Sequence, residues 1–547
     1  MKTPLKVFCC ALVSTWAFAA NPKISRDLEG ADPQSTGEFI VQFAHPPTEA
    51  HHSMVRRHGG SFRSELQVVK AGVYSMSARS LEELAAEPEV VYISPNRPLR
   101  GMMDNVAGAV NASAAWSSSL TGAGIGVAVI DSGMAFGQDI NGSNVVYGQF
   151  WTNWTTQDQY GHGTSVAGII AGSGAASSSS NGAKSTRSLK GIAPGAKLIN
   201  LRVLDQNGVG TDANVIAAIN TAIVLKFAFN IRVINLSLGR PVYESYTKDP
   251  LCKAVEAAWK AGIVVVVAAG NDGRNNSQGT NGYGTIAAPG NDPYVITVGA
   301  MRTMGTPTRA DDLVASYSSK GPTAIDHIVK PDIVAPGNQV VCVYAPGTYL
   351  DTSFPQNNIP GNYYLNPGGS TGSSAYFKLS GTSMAAPVVS AAAAILLQQD
   401  PKLTPDQVKA RLMLTAYKTF PASSVATDAT TGVKYTSYYD QFTIGAGYLD
   451  IKAALANNST FSGTALSPVA TFDPTTDTTG VVCATGTVCG TGATNSLWGS
   501  NSLWGSNSLW GSNSLWGSNS LWGSNSLWGS SATETGEATL LTINGEN

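Results

Sequence analysis

The sequence predicts an α/β fold: a three-layer arrangement around a mostly parallel sheet, preceded by a small ferredoxin-like α+β unit and followed by a repetitive, poorly ordered tail. Three observations carry the prediction. Between residues 126 and 298, short apolar runs alternate with helical stretches, the pattern of strands buried on both faces. Ahead of them the order is strand, helix, strands, helix, strand, that of a ferredoxin-like module. Finally, the Ala-rich residues 388–397 follow Gly381-Thr382-Ser383-Met384-Ala385-Ala386-Pro387, which reads as a long buried helix with a Ser at its start.

Composition bounds the rest. A chain of 547 residues, 43% hydrophobic and 13% charged, holds more than one folded part and a large core. Its formal net charge of −2 gives no footprint for nucleic acid or an anionic membrane. Lys2 and Lys6, the mostly apolar residues 7–16 and Ala17-Phe18-Ala19 have the order of a secretory signal, residues 1–19. No later stretch has the length and apolarity of a transmembrane helix, so the expected protein is secreted, free or cell-surface associated. Cys9 and Cys10 leave with the signal. Cys483 and Cys489 can then close a short disulfide loop, and pairing of Cys252 with Cys342 stays open. Their spacing does not fit a zinc site.

The small unit occupies residues 20–104. Residues 39–43 read as a strand, and residues 48–58 as a helix stopped by Gly59-Gly60. Ser80 and Glu83 have capping-box spacing for a second short helix, and residues 90–93 form a last strand. Four of the six histidines, His45, His51, His52 and His58, fall here; the plainer reading is solvated His on an exposed helix, and the functional alternative is that their protonation below about pH 6.5 loosens the unit from its neighbour. The larger unit, residues 105–456, has strands at residues 126–130, 198–204, 233–238, 263–268 and 295–298, with helices between them at 164–171, 212–225 and 252–260. Thr404-Pro405-Asp406-Gln407 opens a further helix with a capping Thr, Pro at the first position and Gln at the third. Residues 457–494 read as a Thr/Gly/Ser-rich linker. Asn-Ser-Leu-Trp-Gly-Ser then repeats six times over residues 495–530, before an acidic tail, 531–547. Diluted by Ser and Gly, the repeats are expected to be poorly ordered. Their exposed Trp faces make a surface or glycan contact the functional alternative.

Strand ends are where open parallel sheets gather chemistry. Asp131 closes one apolar strand in Ala128-Val129-Ile130-Asp131-Ser132-Gly133. Asn271 follows another in Ala268-Ala269-Gly270-Asn271. A carboxylate at such a position needs a partner, and an imidazole supplies one. Outside the small unit only His162 and His327 are available. His162, in Gly161-His162-Gly163-Thr164, has small neighbours that let the ring reach a cleft; His327 reads as an exposed loop residue. At a helix start, Ser383 lies where free N–H groups and the dipole favour negative charge, with Pro387 tolerated as part of a first turn. The Asn271 amide and the Ser383 N–H are candidate donors to an oxyanion.

These motifs, in the order Asp, His, Ser, resemble the subtilisin-like serine proteases (subtilases). Gly191-Ile192-Ala193-Pro194-Gly195-Ala196, Ser237-Leu238-Gly239 and Lys330-Pro331-Asp332-Ile333-Val334-Ala335-Pro336-Gly337 add to the resemblance, which spans residues 110–455. It implies a serine endopeptidase with Ser383 as nucleophile, His162 as general base and acid, Asp131 as its orienter and Asn271 as oxyanion donor. It implies a peptide groove between Gly208-Val209-Gly210 and Ser237-Leu238-Gly239, bounded by Ala268-Ala269-Gly270, with Ala287 flooring the main specificity pocket and an apolar residue preferred before the cut. The small unit then resembles an inhibitory pro-segment, an intramolecular partner beside protein or peptide substrates. The chemistry needs no cofactor; structural Ca²⁺ is implied by the family, without an assignable site. Two departures stand out: Arg240 after Ser237-Leu238-Gly239, expected to narrow the groove or favour acidic substrates, and a long stretch over residues 338–379. An α/β-hydrolase needs a His after its nucleophile, and none follows Ser383. A zincin needs His-Glu-x-x-His, also absent. Gly-His-Gly-Thr argues against the sedolisin relatives, which use Glu in place of that His. A secreted binding protein on a dead protease fold is the remaining alternative.

Overall fold

The computed structural model describes residues 21–25, 28, 32–95, 102–178, 184–366, 375–428, 431–459, 461–473, 478–482 and 543–546. The signal, Cys483, Cys489 and the six repeats lie outside the described residues. The chain divides into two compact units, Met1–Leu99 and Arg100–Asn547.

The small unit runs β1 (Thr36–Phe43), α1 (Glu49–Arg57), β2 (Ser61–Leu66), β3 (Ala71–Ser77), α2 (Leu81–Ala85) and β4 (Val90–Pro95). Its antiparallel sheet has the order β2-β3-β1-β4, the split arrangement expected of a ferredoxin-like module. Phe39, Val41, Val55, Tyr74, Leu84 and Ile93 form its core. Two local expectations change. A 3₁₀ turn, Ala78–Ser80, runs straight into α2, so Ser80 is already helical and makes no side-chain cap. At α1 the Thr48 N–H is instead satisfied by His51 Nδ1 at 3.0 Å. Three of the histidines face carboxylates of their own unit. His45 lies 3.3 Å and His51 3.6 Å from Glu89, and His58 lies 2.9 Å from Glu87. His52 is buried, 2.8 Å from the Tyr74 hydroxyl.

The larger unit continues through α3 (Met102–Ala109), α4 (Ser113–Ser117), β5 (Gly126–Asp131), β6 (Val145–Phe150), α5 (His162–Ala171), β7 (Lys184–Ser185), β8 (Lys197–Arg202), α6 (Asp212–Val224), β9 (Ile231–Leu236), α7 (Pro250–Lys260) and β10 (Val264–Ala268). Then come β11 (Ile296–Arg302), β12 (Leu313–Val314), β13 (Ile333–Pro336), β14 (Val340–Val343), α8 (Tyr349–Ser353), β15 (Asn358–Ile359), β16 (Leu365–Asn366), β17 (Tyr376–Leu379), α9 (Thr382–Gln399) and α10 (Pro405–Thr415). The main sheet has the order β12-β11-β10-β9-β5-β8-β6, with β13 also beside β11. All its pairings are parallel except β11 with β12. The order reverses at β5, since β8 and β6 lie on one side and β9 to β11 on the other. Such a switch leaves a crevice at the carboxyl ends of the strands, where Asp131 stands. β6 is an edge strand with an alternating, half-exposed pattern, which is why its apolar content is too thin to read as a core strand.

α9 packs across β9, β10, β11 and β13 and is buried along nearly its whole length. Among the described residues it is the one helix long and apolar enough to cross a membrane, and 83% of that window is buried inside the fold. The unit does not end near residue 456. Val469–Asp473 and Thr478–Val482 pair as an antiparallel hairpin. Ala465 and Ala470 join Val329, Ala410, Met413 and Phe442 in a second core. Isolated apolar residues in a Thr-rich background gave this segment the look of a linker.

Candidate active site

The site is assembled from four strand and helix ends. Asp131 ends β5 and is 1% exposed. His162 opens α5, and its Nδ1 lies 2.8 Å from Asp131 Oδ1. The same oxygen accepts the Ser132 N–H at 2.7 Å. This approach depends on a missing side chain: a Cβ on Gly163 would stand 2.3 Å from the Gly133 carbonyl oxygen, so only glycine lets α5 close on the end of β5. Burial alone would push the His162 imidazole down. The charge and hydrogen bond of Asp131, with the charge of Asp158, outweigh it and hold the ring above the ordinary histidine value.

Asp158 is a residue that sequence reasoning missed. It is buried, and its carboxylate accepts from Ser132 Oγ at 2.9 Å, Gly161 N at 2.7 Å, Tyr160 N at 3.0 Å, Thr164 N at 2.9 Å and Thr164 Oγ1 at 2.6 Å. Ser132 Oγ in turn accepts from Gly163 N at 2.9 Å. The first turn of α5 is thereby tied to the loop after β5, which fixes the ring carried by that turn. Its readable signal was an acid four residues before the His in Asp158-Gln159-Tyr160-Gly161-His162.

Ser383 is the second residue of α9, whose cap Gly381 has φ 129°, a glycine conformation. Pro387 lies beyond the first turn, as the sixth helical residue. The N–H it lacks would have bonded the Ser383 carbonyl, and that carbonyl accepts Ser237 Oγ at 2.8 Å instead. The Ser383 hydroxyl donates to the Ser237 carbonyl at 3.1 Å. No hydrogen bond joins Ser383 to His162 among the described residues, so Oγ must turn about Cα–Cβ to meet the ring, a tightening common in sites without substrate. Asn271 Oδ1 accepts Thr382 N at 2.9 Å and Thr382 Oγ1 at 3.1 Å. That orientation leaves Nδ2 to donate into the cleft.

One cavity of about 860 Å³ is lined by His162, Asn271 and Ser383 together with Gly208, Val209, Gly210, Ser237, Leu238, Gly239, Ala268, Gly270 and Ala287. Ala269 is fully buried, its N–H and carbonyl engaged by Val298 and Ala287 at 3.0 and 2.9 Å, and stands behind this wall. A Cβ on Gly239 would lie 3.0 Å, and one on Gly270 3.3 Å, from Ala287 Cβ. Two missing side chains thus open a narrow slot against Ala287. Arg240 also lines the cavity, but its guanidinium is committed: Nε reaches both Asp212 oxygens at 3.1 and 3.0 Å, and Nη2 both Asp249 oxygens at 2.9 Å. Two carboxylates around one guanidinium remove the expected attraction for acidic substrates. His327 is not among the residues that line this cavity, and it is half-buried rather than exposed. Cys252 and Cys342 are buried free thiols, so they do not pair. Among the described residues no group of three or more His, Cys, Asp or Glu side chains is placed to hold a metal ion.

A carboxylate–imidazole pair, a serine at a helix start and an amide facing a peptide-sized groove define the serine hydrolase class. The family model described as the subtilase family, peptidase S8, matches residues 122–447, and the chain belongs to that family. Serine protease AprX of Bacillus subtilis is 37% identical over 358 residues, 63% of this chain and 73% of the relative. Subtilisin E of the same organism is 31% identical over 422 residues, 75% of this chain and 92% of the relative. An alkaline protease of Alkalihalobacillus alcalophilus is 31% identical over 360 residues, 64% and 75%. The protein is a serine endopeptidase of the subtilisin-like type.

Proposed function

We propose that the protein is an exported, self-processing endopeptidase that cuts preferentially after apolar residues, with Ser383, His162, Asp131 and Asn271 in the roles named above. The observation that carries this is the 2.8 Å contact of His162 with Asp131 in the same cavity as Ser383. Substrate lies extended against the backbone of Gly208–Gly210 and Ser237–Gly239, as an added strand. Ser383 Oγ attacks the scissile carbonyl carbon while His162 Nε2 takes its proton. Nδ1–H stays on Asp131, which stabilises the imidazolium. The oxyanion receives Asn271 Nδ2 and the Ser383 N–H, a first-turn donor without a helical acceptor. Nε2 then protonates the departing amine, and water repeats the sequence to free Ser383 from the acyl group. No step calls on a cofactor.

Export rests on residues 1–19, and the zymogen reading on the ferredoxin-like unit ahead of the protease unit. Mass spectrometry of wild type beside Ser383→Ala tests both activity and processing. Wild type is expected to lose the residues before about Asn105, the variant to retain them. If neither chain is processed and wild type leaves unfolded protein intact, the dead-protease binding reading replaces this one. The slot against Ala287 predicts that peptides cut after Leu or Phe outpace those cut after Lys or Glu in kcat/KM; the reverse order would refute the assigned pocket.

A further inference from the structure

Residues 543–546 are seated on the protease unit through a set of specific contacts. Glu546 is 6% exposed. Its carboxylate accepts from Arg274 Nη2 at 2.7 Å, Ser316 N at 2.7 Å and Ser316 Oγ at 2.5 Å, and Arg302 Nη1 lies 3.7 Å away. Its backbone is read as well: Asn338 Oδ1 accepts the Glu546 N–H at 3.0 Å, and Asn338 Nδ2 donates to the Glu546 carbonyl at 2.9 Å. Asn357 Nδ2 donates to the Ile543 carbonyl at 2.8 Å. Gly545 has φ 75°, and a Cβ there would stand 2.5 Å from Ser380 Oγ and 2.6 Å from Gln339 Cγ. The site therefore selects a glycine before the acid by shape and backbone conformation. Ile543, 5% exposed, lines the cavity that holds His162 and Ser383.

We propose that the protease unit carries a docking site for its own Ile543-Asn544-Gly545-Glu546 segment, a latch beside the catalytic cleft. Charge supports this occupant. Arg274 also pairs with Asp428 at 3.0 Å, so with Glu546 in place two buried guanidinium groups face two carboxylates. Taking Glu546 away leaves buried positive charge underpaired, which is unfavourable. The receptor residues Asn338, Gln339 and Asn357 belong to the long stretch between β13 and β17. The latch gives that stretch a task. The chain between residues 483 and 542, which carries the six Trp repeats, is then tied to the protease unit at both ends.

The test needs no turnover, so its failure is separable from failure of the peptidase reading. A chain stopped after residue 537 and blocked with a sulfonyl fluoride is titrated with a fluorescein-labelled peptide of residues 538–547, beside the full chain treated alike. The shortened chain is expected to bind saturably and the full chain not to bind, its site being filled. The same peptide with Glu546→Gln should bind about tenfold more weakly or worse, since hydrogen bonds to a charged group are lost. Absent binding to a folded shortened chain, equal binding by both chains, or equal affinity for the Gln peptide would overturn the latch. Should the shortened chain not fold, hydrogen exchange on full-length Glu546→Gln decides. Faster exchange at the Ser316 amide and over residues 338–357 supports the latch, and unchanged exchange there refutes it.

Discussion

His162 carries its imidazole against Asp131, and the sign of its titration follows from that contact. A ring held above the ordinary value of 6.5 keeps its proton further into the neutral range, and the protonated ring is useless as a base. We therefore expect kcat/KM to rise with pH on a one-proton limb whose midpoint lies above 6.5. The linked stability runs the other way: the pair stabilises the fold fully below the unfolded value and loses that contribution as pH rises through the folded one. Asp131→Asn should move the activity midpoint down and lower kcat by about 10⁴; a pH–rate profile with an unmoved midpoint would contradict the assigned cause. Asp131, His162, Ser383 and Asn271 were legible because each sits in a short motif of small residues at a strand or helix end. Asp158 and the partners of Arg240 were not. Their meaning depends on which loop folds against which, and no local pattern encodes that.

Elements were read best where chemistry is local. Thr404 Oγ1 accepts Gln407 N at 3.2 Å, and Gln407 Oε1 accepts Thr404 N at 3.0 Å, closing the capping box expected at α10. Thr404→Ala should cost about 1 kcal/mol of stability. Ser80→Ala, where the hydroxyl meets only Ser77 Oγ at 3.5 Å and makes no capping bond, should stay within about 0.5 kcal/mol. Urea unfolding of both variants separates the two cases; equal losses would mean that the capping bonds are not what the helix ends rely on. The same locality explains the errors. Pro387 was expected in the first helical turn and lies beyond it, and its use, freeing a carbonyl for Ser237, depends on the segment after β9, 146 residues away. β6 and the hairpin after residue 468 are held by neighbours distant in sequence, with little amphipathic pattern of their own.

The whole unit is drawn together by one buried ionic knot. Asp332 lies 2.7 Å from Lys330 and 3.1 Å from Lys409, all three fully buried. Ser467 Oγ donates to Asp332 Oδ1 at 2.5 Å, and Lys409 Nζ donates to the Val295 carbonyl at 2.9 Å. The knot joins β13, α10, the strand start at β11 and the segment leading to the last hairpin. Asp332→Ala leaves two buried ammonium groups without their counter-ion and should destabilise by about 3–5 kcal/mol, read as a fall in Tm. A loss below about 1 kcal/mol, the range of an exposed ion pair, would mean that water reaches the knot. Sequence pattern offered Lys330-Pro331-Asp332 only as a motif of resemblance; the role of Lys409 lay hidden in an ordinary amphipathic helix. The spread of these parts along the chain also sets a clock. During synthesis Asp131 and His162 leave the ribosome well before Ser383, and Lys409 and Ser467, which complete the knot, emerge later still. A growing chain thus holds an orienter and a base but no nucleophile until most of its length exists.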